Sequence, residues 1–243
     1  MAYIINTLVY AERHDKGESQ SEFLEDIKKL GADGVEARLE YFSDIEYEAP
    51  IFVEKAKKLG LKINLSVPDE LFVDGEVNSK LDTYFKYGKL LELDKIKFNT
   101  GDFTHFNGDL AHILDALPEG IEFNVENDQT ELSGRSQHIL TFLQSAKEAG
   151  LNVGYVYDIG NWLVTGEDPD FVAKKMAPYT RYIHLKNMTG VGNNTSATLD
   201  EGKINWRTPA AYFKKGTDVA LEYPMSQFER RSSELAEIKN VYK

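Results

Sequence analysis

Short apolar, β-branched runs alternate along this chain with longer stretches in which apolar residues recur every three or four positions. The first pattern predicts buried strands, the second amphipathic helices. Strands are predicted over residues 3–10, 34–39, 61–67, 95–99, 121–126, 151–158, 181–185 and 218–222. Helical stripes fall between them. Phe23, Leu24, Ile27 and Leu30 make the first, Ile51, Phe52, Val53, Ala56 and Leu59 the second, and Val77, Leu81, Tyr84, Phe85 and Leu91 the third. Leu110, Ile113, Leu114 and Leu117 predict a fourth, and Ile139, Leu140, Leu143 and Ala146 a fifth. Punctuation agrees with this reading. Ser19 and Glu22 have capping-box spacing, and Gly31, Gly60 and Gly150 stand where helices should stop. Asp168-Pro169 and Thr208-Pro209 each open a further helix, and a polar helix spans residues 227–240. Residues 11–18 and 187–205 read as loops, and Pro68 closes the third strand.

Eight strands in strict alternation with helices imply a parallel sheet. A length of 243 residues suits a closed (β/α)8 TIM barrel better than an open doubly wound sheet. No composition break divides the chain, so residues 1–243 are expected to form one domain. No G-x-G-x-x-G turn follows the first strand, which argues against a dinucleotide fold.

The strand ends carry the chemistry. Asn124-Val125-Glu126, Val156-Tyr157-Asp158, Ile183-His184 and Leu221-Glu222 each end an apolar run in a polar, metal-ligating side chain. A carboxylate there is costly unless it is paired or holds a cation. In a closed barrel these ends converge on the carboxyl face, where such folds place their sites. Three carboxylates and an imidazole suit one divalent cation, with Mn2+, Mg2+ or Co2+ favoured by the oxygen-rich set and Zn2+ admitted by it. Each residue also has a plainer role open to it. His184 could be a satisfied core histidine, Glu126 and Glu222 solvent-facing strand ends, and Asp158 a cap for the next turn.

Period-two alternation puts Glu36 with Arg38, His184 with Lys186, and Lys97 with Lys95 and Asn99 on common faces. Inward basic groups would suit an anionic substrate, so Glu36, Arg38, Lys97 and Lys186 are candidate substrate-binding residues. Ordinary solvated charges or internal ion pairs, such as Arg38 with Glu36 or Glu40, are the alternative. His14, His105, His112 and His138 read as surface residues, and Trp162 and Trp206 as pocket walls or packing.

Net charge of −12 argues against a nucleic-acid groove and against an anionic membrane surface. The absence of cysteine fits a reducing cytoplasm, and the first residues lack the basic region of a secretory leader.

Six motifs, in order, carry a family resemblance: Gly31-Ala-Asp-Gly-Val-Glu36-Ala-Arg38, Val125-Glu126-Asn127, Asp158-Ile-Gly-Asn161, Tyr182-Ile-His184-Leu-Lys186, Glu201-Gly-Lys-Ile-Asn-Trp206 and Leu221-Glu222-Tyr223. The chain resembles the xylose-isomerase-like TIM barrels, the group that includes sugar phosphate isomerases/epimerases and AP endonuclease family 2. The resemblance implies that Glu126, Asp158, His184 and Glu222 bind one metal, and that Glu126 and Glu222 act on substrate protons. It also has gaps. Ketose 3-epimerases of the group carry histidine, glutamate and arginine where this chain has Asn161, Leu132 and Gly190.

The expected function is a metal-dependent isomerase or epimerase of a small sugar, sugar acid or sugar phosphate. The alternatives are a sugar-acid or keto-inositol dehydratase, then a nuclease or a non-catalytic sugar-binding barrel. Against the nuclease stand the acidic charge, Asn161 in place of a further histidine, and a histidine-free stretch over residues 191–198.

Overall fold

In the computed structural model, described over residues 1–190, 192 and 194–242, eight parallel strands close into a barrel with helices packed outside. Val191 and Asn193, in the predicted loop, lie outside the described residues. The barrel strands are β1 (Tyr3–Asn6), β2 (Gly34–Arg38), β3 (Lys62–Val73), β5 (Lys95–Gly101), β6 (Glu122–Glu126), β7 (Val153–Asp158), β8 (Thr180–Leu185) and β9 (Asp218–Leu221). Each pairs with the next, and β9 pairs with β1 to close the ring. This is the predicted (β/α)8 architecture.

The ninth strand, β4 (Glu76–Val77), was not predicted; β3 and β4 form an antiparallel hairpin. Pro68 does not end β3, contrary to the sequence reading. The strand runs on to Val73, with its pairing to β5 interrupted between Ser66 and Glu70. A proline without an N–H is tolerated where the ladder is already broken. Asp74 and Gly75, at φ +50° and +75°, make the tight hairpin turn. Val77 therefore pairs in a strand, and the helix that was to include it, α4, spans Leu81–Leu90. Gly101 lets the end of β5 approach β3: a Cβ there would lie 2.1 Å from the Phe72 carbonyl oxygen.

Other helices follow their sequence signals closely. They include α2 (Gln20–Lys29), α3 (Ile45–Leu59), α5 (Ser136–Glu148), α7 (Pro169–Met176) and α8 (Phe228–Val241). Glu22 accepts from the Ser19 N–H at 2.7 Å, as the capping box requires. The stripe of α5 buries Ile139, Phe142 and Leu143, each contributing roughly 1.5–3 kcal/mol of apolar transfer. Four local readings need correction. The first strand, read over residues 3–10, ends at Asn6, and Thr7–Tyr10 is a 3₁₀ turn. Residues 11–18 contain a short helix, α1 (Ala11–Asp15). Residues 110–117 form successive turns in place of the expected helix. Thr208-Pro209 opens only a 3₁₀ turn, Thr208–Ala211.

The main apolar core lies between the barrel and its helices. A second, smaller cluster of Ala2, Ile4, Val156, Tyr182 and Ala220 plugs the barrel itself. Towards the amino ends, Lys95 bridges Glu122 at 3.0 Å and Asp218 at 3.4 Å. The plug separates these ion pairs from the polar side chains at the carboxyl end of the barrel. No helix among the described residues is long and apolar enough to cross a membrane.

Candidate metal centre and active site

Directly above the apolar plug, alternation places polar side chains. Asn6, Glu126, Asp158, His184 and Glu222 each follow by two positions, through the barrel's inward face, a residue of that plug or of its polar surround. Glu126, Asp158 and His184 end or nearly end β6, β7 and β8, and Glu222 directly follows β9. Their candidate ligand atoms, one from each residue, all lie within 4.8 Å of one another, and all four residues are buried.

Around this centre charges alternate. His184 Nδ1 is 2.5 Å from Glu126 Oε1 and 3.3 Å from Glu222 Oε2. Lys97 pairs with Glu126 Oε2. Lys186 Nζ is 2.6 Å from Asp158 Oδ2 and 3.4 Å from Glu222 Oε2. Arg38 reaches Glu222 at 3.4 Å and Glu40 at 2.6 Å. Burial would raise the carboxyl of Glu222, but His184 and Lys186 outweigh it and hold the group well below the usual range. Glu126 is lowered against the same burial by Lys97 and His184. Asp158 goes the other way: burial dominates its pairing with Lys186 and pushes it up to about 7. Burial would lower His184, yet Glu36, Glu126 and Glu222 raise it well above the ordinary imidazole range.

The donor set fits a divalent cation. Glu126 Oε1, Asp158 Oδ2 and His184 Nδ1 are buried and, among the described residues, have no hydrogen bond of normal geometry. Such atoms are costly when orphaned. Their partners within the cluster are at charge-pair distance, and a cation at their centre would satisfy them together.

Asp158 has the capping role as well. Its Oδ1 accepts from the N–H groups of Gly160 at 2.9 Å and Asn161 at 3.1 Å, opening an unpredicted helix, α6 (Ile159–Val164). Its Oδ2 is the atom turned to the cluster. Asn161, in the position where the 3-epimerases carry histidine, is instead a brace. It donates to the Asn127 carbonyl at 2.8 Å and accepts from Gln129 at 3.0 Å.

Of the substrate-binding candidates, Arg38, Lys97 and Lys186 are all drawn into ion pairs with carboxylates, and Arg38 is the most exposed of them, its side chain 19% accessible. Glu36 is 1% exposed and sits behind His184, with Oε1 3.0 Å from Nε2. Two residues escaped sequence reasoning. Asn6 donates to Glu36 Oε1 at 2.5 Å and to Glu222 Oε1 at 3.2 Å. Asn127 donates to the Asp158 carbonyl at 2.9 Å and accepts from the Asp158 N–H at 3.0 Å, tying the end of β6 to that of β7. Asn6 ends β1 as Glu126 ends β6, but Leu8, Val9 and Tyr10 continue the apolar run in sequence and hid that end.

Trp162 and Trp206 are both packing residues: each is buried, and Trp206 stacks on Tyr242. His105 and His112 are exposed, as expected, while His14 and His138 are half-buried. An open cavity of about 650 Å³ lies against the β3–β4 hairpin, lined by Pro68, Glu70, Asn78, Asn99, Asp128 and Thr130, and none of the four clustered residues lines it. Of the lining residues, Asn99 pairs with Glu126 in the β5–β6 register.

No family model matches the chain, and no curated protein is similar to it. Solved structures do share its fold. A D-allulose 3-epimerase from Methylomonas sp., solved with D-allulose, is 13% identical with a TM-score of 0.75, over 100% of this chain and 97% of that one. The IolI protein with a bound zinc atom is 14% identical with a TM-score of 0.71, over 99% and 96%. A probable 3-DHS dehydratase, AsbF, from Bacillus anthracis is 15% identical with a TM-score of 0.70, over 99% of each chain. The fold is that of the xylose-isomerase-like TIM barrels, as the motifs implied.

Proposed function

We propose that this protein is a divalent-metal-dependent isomerase or epimerase of a small sugar, sugar acid or sugar phosphate, acting by proton abstraction α to a carbonyl. The observation that carries the reading is the convergence of Glu126, Asp158, His184 and Glu222, all buried and with candidate ligand atoms within 4.8 Å of one another, at the carboxyl end of the barrel. Fold neighbours that include a sugar epimerase and a zinc-containing protein agree with it.

These four residues would hold the cation, with Mn2+, Mg2+ or Co2+ favoured and Zn2+ admitted. When bound, it supplies Lewis-acid stabilisation for negative charge on a substrate oxygen. The protein supplies the proton chemistry. Glu126 and Glu222, both held ionised by neighbouring cations, are the candidate base and its partner. They belong to strands separated by β7 and β8, so they flank the centre from different sides. In an epimerase one would take the proton and the other deliver it to the opposite face. In an aldose–ketose isomerase a single glutamate would carry it between adjacent carbons. Arg38, the most accessible of Arg38, Lys97 and Lys186, would meet an acidic or phosphate group on the substrate.

A sugar and sugar-phosphate panel in D2O tests the proposal. Product should keep the substrate's mass apart from solvent deuterium at the reacting carbon. Glu126→Gln and Glu222→Gln should each lower kcat by at least about 100-fold, the scale of general acid–base catalysis. Loss of water from the substrate would mark the dehydratase alternative. Turnover without exchange, indifferent to both substitutions, would overturn the proton-transfer scheme.

A further inference from the structure

Glu36 was expected to bind substrate, but its surroundings point to another task. Both carboxylate oxygens face the Nε2 side of His184, Oε1 at 3.0 Å and Oε2 at 3.2 Å. The opposite ring nitrogen, Nδ1, is the one beside Glu126 and Glu222. An imidazole whose Nε2–H is donated to a carboxylate presents Nδ1 as its ligating atom. Glu36 is itself fixed. Asn6 Nδ2 donates to its Oε1 at 2.5 Å, and Asn6 Oδ1 accepts from the Leu8 N–H at 2.8 Å, so the amide cannot turn over without losing both bonds. The same Nδ2 reaches Glu222 Oε1 at 3.2 Å. Pairing supports the arrangement, because Asn6 and Glu36 are direct neighbours across β1 and β2.

We propose that Glu36 is a positioning residue that fixes the ring orientation and tautomer of His184, and that Asn6 is a strut tying this support to Glu222. The pair presets two of the four candidate ligands from two strands, β1 and β2, that contribute no ligand of their own. The inference rests on the metal-centre reading above. It departs from a substrate-binding role for Glu36, because both oxygens of that carboxylate are spent on the far side of the imidazole.

The test is Zn2+ titration of the metal-stripped protein by calorimetry, paired with proton NMR of the Zn2+-loaded form. Glu36→Gln, nearly isosteric, should weaken Zn2+ binding by roughly 10–100-fold, the range for lost outer-shell support. It should also move or abolish a slowly exchanging, low-field imidazole N–H resonance of His184. Asn6→Ser, which keeps an oxygen for the Leu8 N–H, should weaken binding by a smaller factor and serves if Glu36→Gln fails to fold. Unchanged affinity and an unchanged resonance in both variants would overturn the proposal. A raised KM with unchanged Zn2+ affinity in Glu36→Gln would overturn it too and return Glu36 to substrate binding. Wild-type protein that binds no divalent metal would instead sink the metal-centre reading itself, a separate outcome.

Discussion

Every buried carboxylate at the barrel mouth has a cation within ion-pair reach, and this residue-level pairing sets what the site can do. Lys97, Lys186, Arg38 and His184 together offset Glu126, Asp158, Glu222 and Glu36. A buried pair of this kind is weak evidence for stability, but removing one partner leaves an uncompensated charge. His184 holds its proton well above the ordinary range in the metal-free protein, since three glutamates outweigh the opposing effect of burial. Ligation through Nδ1 must displace that proton. Zn2+ affinity is therefore expected to fall as pH is lowered from about 8 to about 6, with roughly one proton released per ion near pH 8 and up to about two near pH 6, where Asp158, pushed up to about 7, also gives one up. The buffer dependence of the binding heat measures the release, and pH-independent affinity would remove His184 from the ligand set. Arg38 gives a second residue-scale prediction. Arg38→Ala should raise KM for an acidic or phosphorylated substrate far more than for a neutral analogue. Equal effects on both would leave Arg38 as the partner of Glu40 and Glu222.

At the scale of elements, the ends of strands do double duty. Asp158 both closes β7 and caps α6, one oxygen for each task. The two tasks can be separated. Asn is as good a cap as Asp, while Ala loses about 1 kcal/mol at such a position. Asp158→Asn and Asp158→Ala are expected to lose Zn2+ affinity alike, whereas chemical denaturation should find the Ala variant less stable than the Asn variant by about 1 kcal/mol. Equal stabilities would mean that the cap contributes nothing to α6. The β3–β4 hairpin is a further element-scale device, extending the wall of the mouth beyond the barrel proper on the side of the 650 Å³ cavity.

For the whole molecule, the balance of charge separates the carbohydrate reading from the nuclease reading that the fold group also contains. Phosphate-backbone binding is driven by counterion release through clustered Lys and Arg. This chain carries a net charge of −12, and Arg38, Lys97 and Lys186 at the site are already paired with its carboxylates. The protein is expected to pass through a heparin column at low salt and to leave an abasic oligonucleotide unshifted in a gel. Tight binding in either assay would revive the nuclease reading.

The sequence alone carried the barrel, because eight apolar runs alternating with helical stripes leave few ways to bury both. It also marked Glu126, Asp158, His184 and Glu222, since a polar residue that ends a buried strand must find a partner. Local competition decided what it missed. Residues 110–117 have helical spacing yet form turns, and Pro68 ends a strand by rule yet sits here at a break in the β3–β5 ladder. The remaining decisions were tertiary, because they depend on which strands become neighbours. Spacing could place Glu36 and Arg38 on one face, but not say that Glu36 would stand behind His184 while Arg38 reached Glu222. Asn6 and His184 are far apart in the chain and meet through Glu36 only because the ring closes β9 against β1, bringing the first strand's polar end beside the last.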